Sequence, residues 1–321
     1  MSKLDILVPR YNEGTEICRN LLDSIALQQG IDFADIHVII SDDGSKEALP
    51  QDFLDSFPYK ITYRKHENHG VSWTRNDAFD AGDGELVMYC DIDDMFYSVL
   101  GVWSIFKIYE KMPFEVFVPI FVEEQVKDGK YIYIDHQNTD GVFVHGKVFK
   151  REFLVEKGLR FKPELTIHED SYFVRMALRS TQSTFRSDAS YYMWKWRESS
   201  VCRSDPKYLL KTFPNLMATQ EALTEEYLAH KWEDVRELVV SNCYMVYYML
   251  NQAEWIMKEN RAYRDKAEAV FKAYFKKYGK LGVGIDPQKQ MEISQTHRNA
   301  AIQRGMIQET MSFGTWMKKM S

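Results

Sequence analysis

Over its first 100 residues the chain alternates short apolar runs with helix-patterned segments, and no other feature restricts its fold as strongly. The runs are LDILV (4–8), IHVII (36–40), ITYR (61–64) and ELVMYC (85–90). Between them, residues 15–29 carry Ile17, Leu21, Leu22, Ile25 and Leu27 on one side, followed by a short helical stretch near 47–57 and a third at 71–81. Strands of this length separated by helices predict βαβ units and a parallel sheet covered on both faces. Such sheets bind ligands beyond the carboxyl ends of their strands. The segments PRYNEG (9–14), SDDGS (41–45), ENHG (67–70) and DIDD (91–94) are therefore expected to meet along one edge.

Further strands are expected within 114–146, where FEVFVPIFV and YIYI flank a KDGK turn. A helix near 150–157 should stop at Gly158, another should begin near 169, and SYYMWKW (190–196) reads as a strand. Beyond Pro206 the pattern is helical with few glycines. The expected division is an α/β domain at 1–204 and a helical extension at 205–321, the latter suited to binding an acceptor. The extension has 17 basic and 14 acidic residues, whereas 1–204 has 24 and 33. A net charge of −6 argues against non-specific wrapping of nucleic acid, although 261–280, with seven Lys/Arg and two acids, leaves room for a local basic groove. Cys18, Cys90, Cys202 and Cys243 lack metal-binding spacing and read as reduced thiols. The opening MSKLDILVP has no secretory pattern, and the longest apolar run, CYMVYYML (243–250), is too short for a membrane span. These features predict a soluble, cytoplasmic protein without a transmembrane segment.

Asp91, Asp93 and Asp94 raise the cost of ionising one another. A hard divalent cation such as Mn²⁺ or Mg²⁺ relieves that cost and commonly shares carboxylates with substrate phosphates. Taken alone, the cluster reads more readily as a helix-capping turn; the apolar run before it and the three companion loops shift the balance. Asp43 is placed to accept hydrogen bonds from a base or ribose, with an ordinary Asp-Gly turn as the alternative. Gly70 opens a helix whose amides suit a phosphate, and Arg75 lies one turn in, with a glycine turn and an exposed arginine as the alternative. Glu169–Asp170 sits at a helix start, where a carboxylate is oriented to act as a base, although capping alone is the readier reading without context. His66, His69 and His168 lie in or beside these loops and read more readily as surface or satisfied histidines.

The ordered set ILVPRYNEG, VIISDDGS, ENHGVSWTRNDAFDAGDGELVMYCDIDD and GKVFKREFLVEKGLRFKPELTIHED resembles the family 2 glycosyltransferases of the GT-A fold, over residues 3–200. The resemblance implies a Rossmann-like nucleotide-sugar-binding domain with a mostly parallel sheet, a helical C-terminal extension and inverting, metal-dependent sugar transfer. The implied donor is a nucleotide sugar, most often UDP-linked. Pro9, Tyr11 and Glu13 correspond to the loop that packs on uracil and ribose, Asp43 to the acid that contacts uracil, and Arg75 to a position near the base and diphosphate. Asp91 corresponds to the first acid of the DxD motif. Asp93 and Asp94 fall nearest the metal and diphosphate, and Asp170 matches the usual catalytic base. Arg197 with Ser199 or Ser200 falls near the donor phosphates. Arg10 departs from the small or apolar residue usual there. The implied acceptor is a hydroxyl on a glycan or wall polymer. Alternatives are hydroxymethylated bases of DNA, as in phage-type members, and a non-catalytic nucleotide-sugar-binding module. The sugar and oligomeric state are not implied.

Overall fold

The computed structural model describes residues 2–198, 208–251, 261–303 and 311–320. The chain forms two compact units, Met1–Glu198 and Ser199–Ser321.

The first unit is built on a nine-stranded sheet. Strands β1 (Leu4–Arg10), β2 (Ile36–Asp42), β3 (Lys60–Lys65) and β4 (Leu86–Tyr89) run parallel in the order β3-β2-β1-β4. Helices α1 (Thr15–Ala26), α2 (Gln51–Leu54) and α3 (Val71–Asp80) connect them. Every residue of β2 and β4 is buried, because helices cover the sheet and both strand faces must then be apolar. At the edge, β3 carries exposed polar residues instead.

The sheet continues through antiparallel pairings. Strand β8 (Val148–Lys150) joins β4, β6 (Val116–Lys127) joins β8, and β9 (Thr184–Trp194) runs parallel to β6. Strands β5 (Met95–Phe96) and β7 (Lys130–His136) add to β9 and β6. The remaining helices are α4 (Gly101–Lys111), α5 (Arg151–Glu156) and α6 (Glu169–Ser180).

The expected parallel strands and helices are present, with some shifts at their ends. The stretch near 47–57 contracts to α2, entered directly from Pro50, whose fixed φ suits a helix start. Strand β9 begins at Thr184, six residues before the run that marks it in the sequence. Its first half, TFRSDAS, is polar and gains its strand geometry by pairing with β6. Strands β5 and β8 are too short to carry a periodic signal.

Behind β4, Tyr89 meets Phe161 and Phe173 edge-on at 5.0 and 5.4 Å, and Phe161 stacks on Phe173 at 4.3 Å. This cluster fixes α6 against the sheet. Phe173→Ala is expected to lower the unfolding free energy by about 3–5 kcal/mol, through lost burial plus the cavity left behind. A denaturant titration of the two proteins measures it.

The second unit is helical: α7 (Tyr208–Lys211), α8 (Phe213–Ala229), α9 (Val235–Asn251), α10 (Arg261–Tyr278), α11 (Pro287–Gln303) and α12 (Phe313–Met320). Its core gathers Phe213, Val246, Tyr247, Phe271 and Trp316. The basic run on α10 is partly neutralised within the unit. Lys277 lies 2.8 Å from both Glu221 and Glu225, and Arg264 lies 3.0 Å from Glu268. Cys18, Cys90 and Cys243 are buried free thiols. No helix among the described residues is long and apolar enough to cross a membrane.

Candidate active site

Strand register brings the polar loops together. Pro9 and Arg10 lie opposite Ser41 and Asp42, and Asp42 lies opposite Lys65. The chain after β1, β2, β3 and β4 therefore emerges along one edge. The acidic segment follows β4 as a tight turn, in which the Asp94 amide donates to the Asp91 carbonyl at 3.1 Å. Strand β5 then carries the chain onto β9.

Arg75 on α3 is the hub of the site. Its Nη1 donates to Glu169 Oε1 at 2.6 Å and its Nη2 to Asp91 Oδ1 at 3.1 Å. The guanidinium, 5% exposed, lies 5.1 Å from the Phe161 ring centre. One buried cation thus ties the turn after β4 to the start of α6. Burial opposes its charge, but Asp91, Glu169 and Asp170 outweigh that and hold Arg75 more firmly protonated than usual. Its contacts organise the acids on either side.

Asp170 follows Glu169 at the start of α6, with Oδ1 accepting from the Ser171 amide at 2.7 Å. Burial, and then the neighbouring Glu169 charge, push its carboxyl well above the usual range, with Arg75 opposing. A raised carboxylate is a stronger base, suited to proton transfer near neutral pH.

The three aspartates of the turn differ. Burial works against ionising Asp91, but Arg75 outweighs it and holds the carboxyl below its ordinary value. Asp93 is pushed up to about 6 by burial and the Asp91 charge, with Arg197 opposing. Asp94 is fully buried and raised well above the carboxylate range by burial, Asp91 and Asp93. Its Oδ2 accepts from Tyr192 Oη at 2.7 Å and its Oδ1 from the Lys195 amide at 3.0 Å. Such crowding suits a divalent cation, whose charge reverses the penalty on all three groups.

His145 joins this group, and its sequence context gave no direct sign of it. Ligand atoms of Asp91, Asp94 and His145 all lie within 4.8 Å of one another. Asp93 points elsewhere, its Oδ2 3.1 Å from Arg197 Nε. The available clue was a histidine beside Gly146 between two strand-like runs; Gly146 takes a left-handed φ of +70°.

The loop after β1 is held from two sides. Glu13 accepts from the Tyr11 amide at 2.8 Å and from Arg197 Nη1 at 3.2 Å. Arg197 therefore bridges this loop to the acidic turn through Glu13 and Asp93. Tyr11 remains 53% exposed, and Pro9 is half-buried beside it. The unusual Arg10 turns inward. It pairs with Asp42 and donates to the Glu13 carbonyl at 2.8 and 2.6 Å. Tyr63 Oη also donates to Asp42. Arg10 thus buttresses the loop from behind, and the substitution does not fill the edge of the sheet.

Asp43 takes the amides of His69 at 2.7 Å and Gly70 at 3.0 Å, so these two amides anchor the turn instead of facing a phosphate. The Asn68 side-chain amide also donates to Asp43 at 3.2 Å; two carboxylate oxygens offer about four acceptor positions, which leaves room for one further donor. Gly70 has φ +88° and ψ 159°, a conformation essentially confined to glycine. His66 contacts Ser41 Oγ at 2.9 Å and the Glu67 carbonyl at 2.7 Å, as expected of a satisfied histidine. His66 and His69 pack on Trp73 with ring centres 4.4 and 4.5 Å apart. His168 caps α6 with a left-handed φ, and burial lowers its pKa to about 4. Ser199 and Ser200 lie outside the described residues.

Residues 5–180, more than half of the chain, match the family described as Glycosyl transferase family 2. The chain belongs to this family, and so to the glycosyltransferase enzymes. It is 24% identical over 291 residues to the GalNAc(5)-diNAcBac-PP-undecaprenol beta-1,3-glucosyltransferase of Campylobacter jejuni, covering 85% of this chain and 88% of the relative. Among solved structures, residues 1–349 of Staphylococcus aureus TarS superpose with a TM-score of 0.62 at 15% identity, over 94% of this chain and 92% of that one. The Pyrobaculum calidifontis mannosyltransferase PcManGT, in complex with GDP-Man and Mn²⁺, gives 0.52 at 15% identity, over 99% and 84%. The fold is of the GT-A type, as the sequence predicts.

Proposed function

We propose that the protein transfers a sugar, with inversion, from a nucleotide donor of the UDP-sugar class to a hydroxyl of a glycan or wall polymer. The observation that carries the reading is the Arg75 bridge, which joins the Asp91–Asp94 turn to Glu169–Asp170 within one buried network. A cation seat and a candidate base thus share one support. The catalytic chemistry is assigned to residues 1–204.

In this reading the acceptor O–H gives its proton to Asp170 as its oxygen bonds to the anomeric carbon. The bond from that carbon to the diphosphate breaks on the opposite face. Asp170 carries out general base catalysis, and its raised pKa matches the task. Glu13 and Arg197 orient the donor loop, and Arg197 places positive charge beside the acidic turn. Asp94, with Asp93 or Asp91, would hold Mn²⁺ or Mg²⁺; when bound, the ion supplies charge neutralisation for the departing diphosphate. The buried, crowded carboxylates beside His145 fit such an ion.

Related proteins support the substrate classes. TarS has been crystallised with UDP-GlcNAc. The Campylobacter relative is named for a PP-undecaprenol-linked acceptor, and a further relative is the Bacillus subtilis minor teichoic acid biosynthesis protein GgaB, 29% identical over 93 residues, 28% of this chain and 10% of that protein. A DNA acceptor gains no support, and the ion pairs of α10 account for part of its charge as a solvated helix face.

Incubation with UDP-sugars and Mn²⁺ should release UDP, and Asp94→Asn should abolish the metal dependence. Binding without turnover, for any donor, would instead favour a non-catalytic module. Protons compete with the cation for the carboxylates that would hold it, so apparent Mn²⁺ affinity should be lower at about pH 5 than at about pH 7.5. Calorimetric titrations at pH 5 and pH 7.5 measure this; equal affinities would contradict it.

A further inference from the structure

His145 stands in the segment between β7 and β8, among the rings of Phe143, Tyr192 and Trp194, whose centres are 5.8, 5.9 and 5.0 Å away. It is 5% exposed, and its Nδ1 is buried without a hydrogen-bond partner. A buried polar atom left without a partner is destabilising, so its persistence calls for an explanation. Asp94 Oδ2 lies 3.7 Å from it, too far for a hydrogen bond but compatible with two ligands sharing one ion. Asp94 is itself immobilised by Tyr192 and the Lys195 amide. Packing on three sides fixes the imidazole plane, and the partner aspartate is held still. The nitrogen is therefore preorganised toward the acidic turn.

We propose that His145 Nδ1 is a ligand of the divalent cation together with Asp91 and Asp94, and that this nitrogen makes the site select Mn²⁺ or Co²⁺ over Mg²⁺. The inference rests on the cation assigned to this turn under the proposed function. Its chemical basis is ligand preference. Mg²⁺ takes oxygen donors almost exclusively, whereas imidazole suits the later divalent metals, and affinity for nitrogen rises from Mn²⁺ to Co²⁺. Three protein ligands would leave a six-coordinating cation able to take diphosphate oxygens or water as well. Asp93 is then free of the first coordination sphere and remains with Arg197. This revises the sequence assignment of the metal to Asp93 and Asp94: Asp91 takes the place of Asp93, and an imidazole is added.

The test uses the full chain loaded with Mn²⁺, without substrate. Pulsed electron paramagnetic resonance of the wild-type complex should show coupling of Mn²⁺ to a ¹⁴N nucleus, and His145→Phe, which preserves the aromatic packing, should remove it. In titrations, His145→Phe and His145→Gln should weaken Mn²⁺ and Co²⁺ by about tenfold or more while changing Mg²⁺ far less. Asp94→Asn should weaken all three. If wild-type Mn²⁺ shows no ¹⁴N coupling, or the coupling survives in His145→Phe, the ligand assignment is overturned even where Asp94→Asn abolishes binding. If the wild type binds no Mn²⁺, or Asp94→Asn leaves its affinity unchanged, the cation seat itself fails. The wild-type spectrum decides the assignment even if a variant does not fold.

Discussion

Asp170→Asn should lower turnover by about 100- to 10,000-fold while leaving donor affinity nearly unchanged. The substitution is close to isosteric and keeps an oxygen able to accept from the Ser171 amide, as Asp170 Oδ1 does at 2.7 Å. The start of α6 should therefore survive. What disappears is a group able to take a proton. Its raised pKa comes from burial and from Glu169, so the rate in the wild type should rise with pH as Asp170 ionises. In Asp170→Asn that rise should vanish. Single-turnover rates and UDP-sugar affinity, measured separately, distinguish a lost base from a lost binding contact. A variant retaining near-normal turnover would show that another group removes the proton.

The second large effect is expected at Arg75. Arg75→Gln leaves Glu169 and Asp91 without their shared cation, and breaking a buried pair in this way costs about 3–5 kcal/mol. Arg75→Lys retains the charge but lacks the planar fork that reaches both acids at once, so it should recover stability only in part. The two variants also report on the base. Arg75 opposes the upward shift of Asp170, and its removal should move the acid limb of the rate profile to higher pH. Thermal melting together with pH–rate profiles separates the structural effect from the electrostatic one. A limb that stays in place while stability falls would make Arg75 a purely structural hub.

The edge of the sheet was readable in the sequence because each element there announces itself. Fully buried parallel strands need unbroken apolar runs, and the polar loops must follow directly at their ends. For that reason Asp43 and Asp91 could be placed at strand ends from the pattern, whereas Asp170, in the first turn of α6, was reached through the family resemblance. Three features of the site depend on long-range pairing that the local sequence does not specify. Arg10 looked like a misfit in the donor loop, yet its partner Asp42 lies on the neighbouring strand, and only the β1–β2 register shows that they meet. Arg75 and Glu169 are 94 positions apart and touch through the packing of α3 and α6. His145 reaches the acidic turn because β8 pairs with β4 and β9 with β5, two contacts made by strands of two and three residues. Periodicity cannot reveal elements that short.

The most direct measurement of the central claim is the melting temperature of the wild-type chain with a panel of UDP-, GDP-, CMP- and TDP-sugars, each with Mn²⁺ and with chelator. The cation and the diphosphate should bind as one unit at the acidic turn. A UDP-sugar should therefore raise the melting temperature strongly with Mn²⁺ and little with chelator, and Asp170→Asn should retain the shift. Stabilisation by none of the nucleotide sugars, or an equal shift with chelator, would contradict a metal-assisted nucleotide-sugar site at Asp91–Asp94.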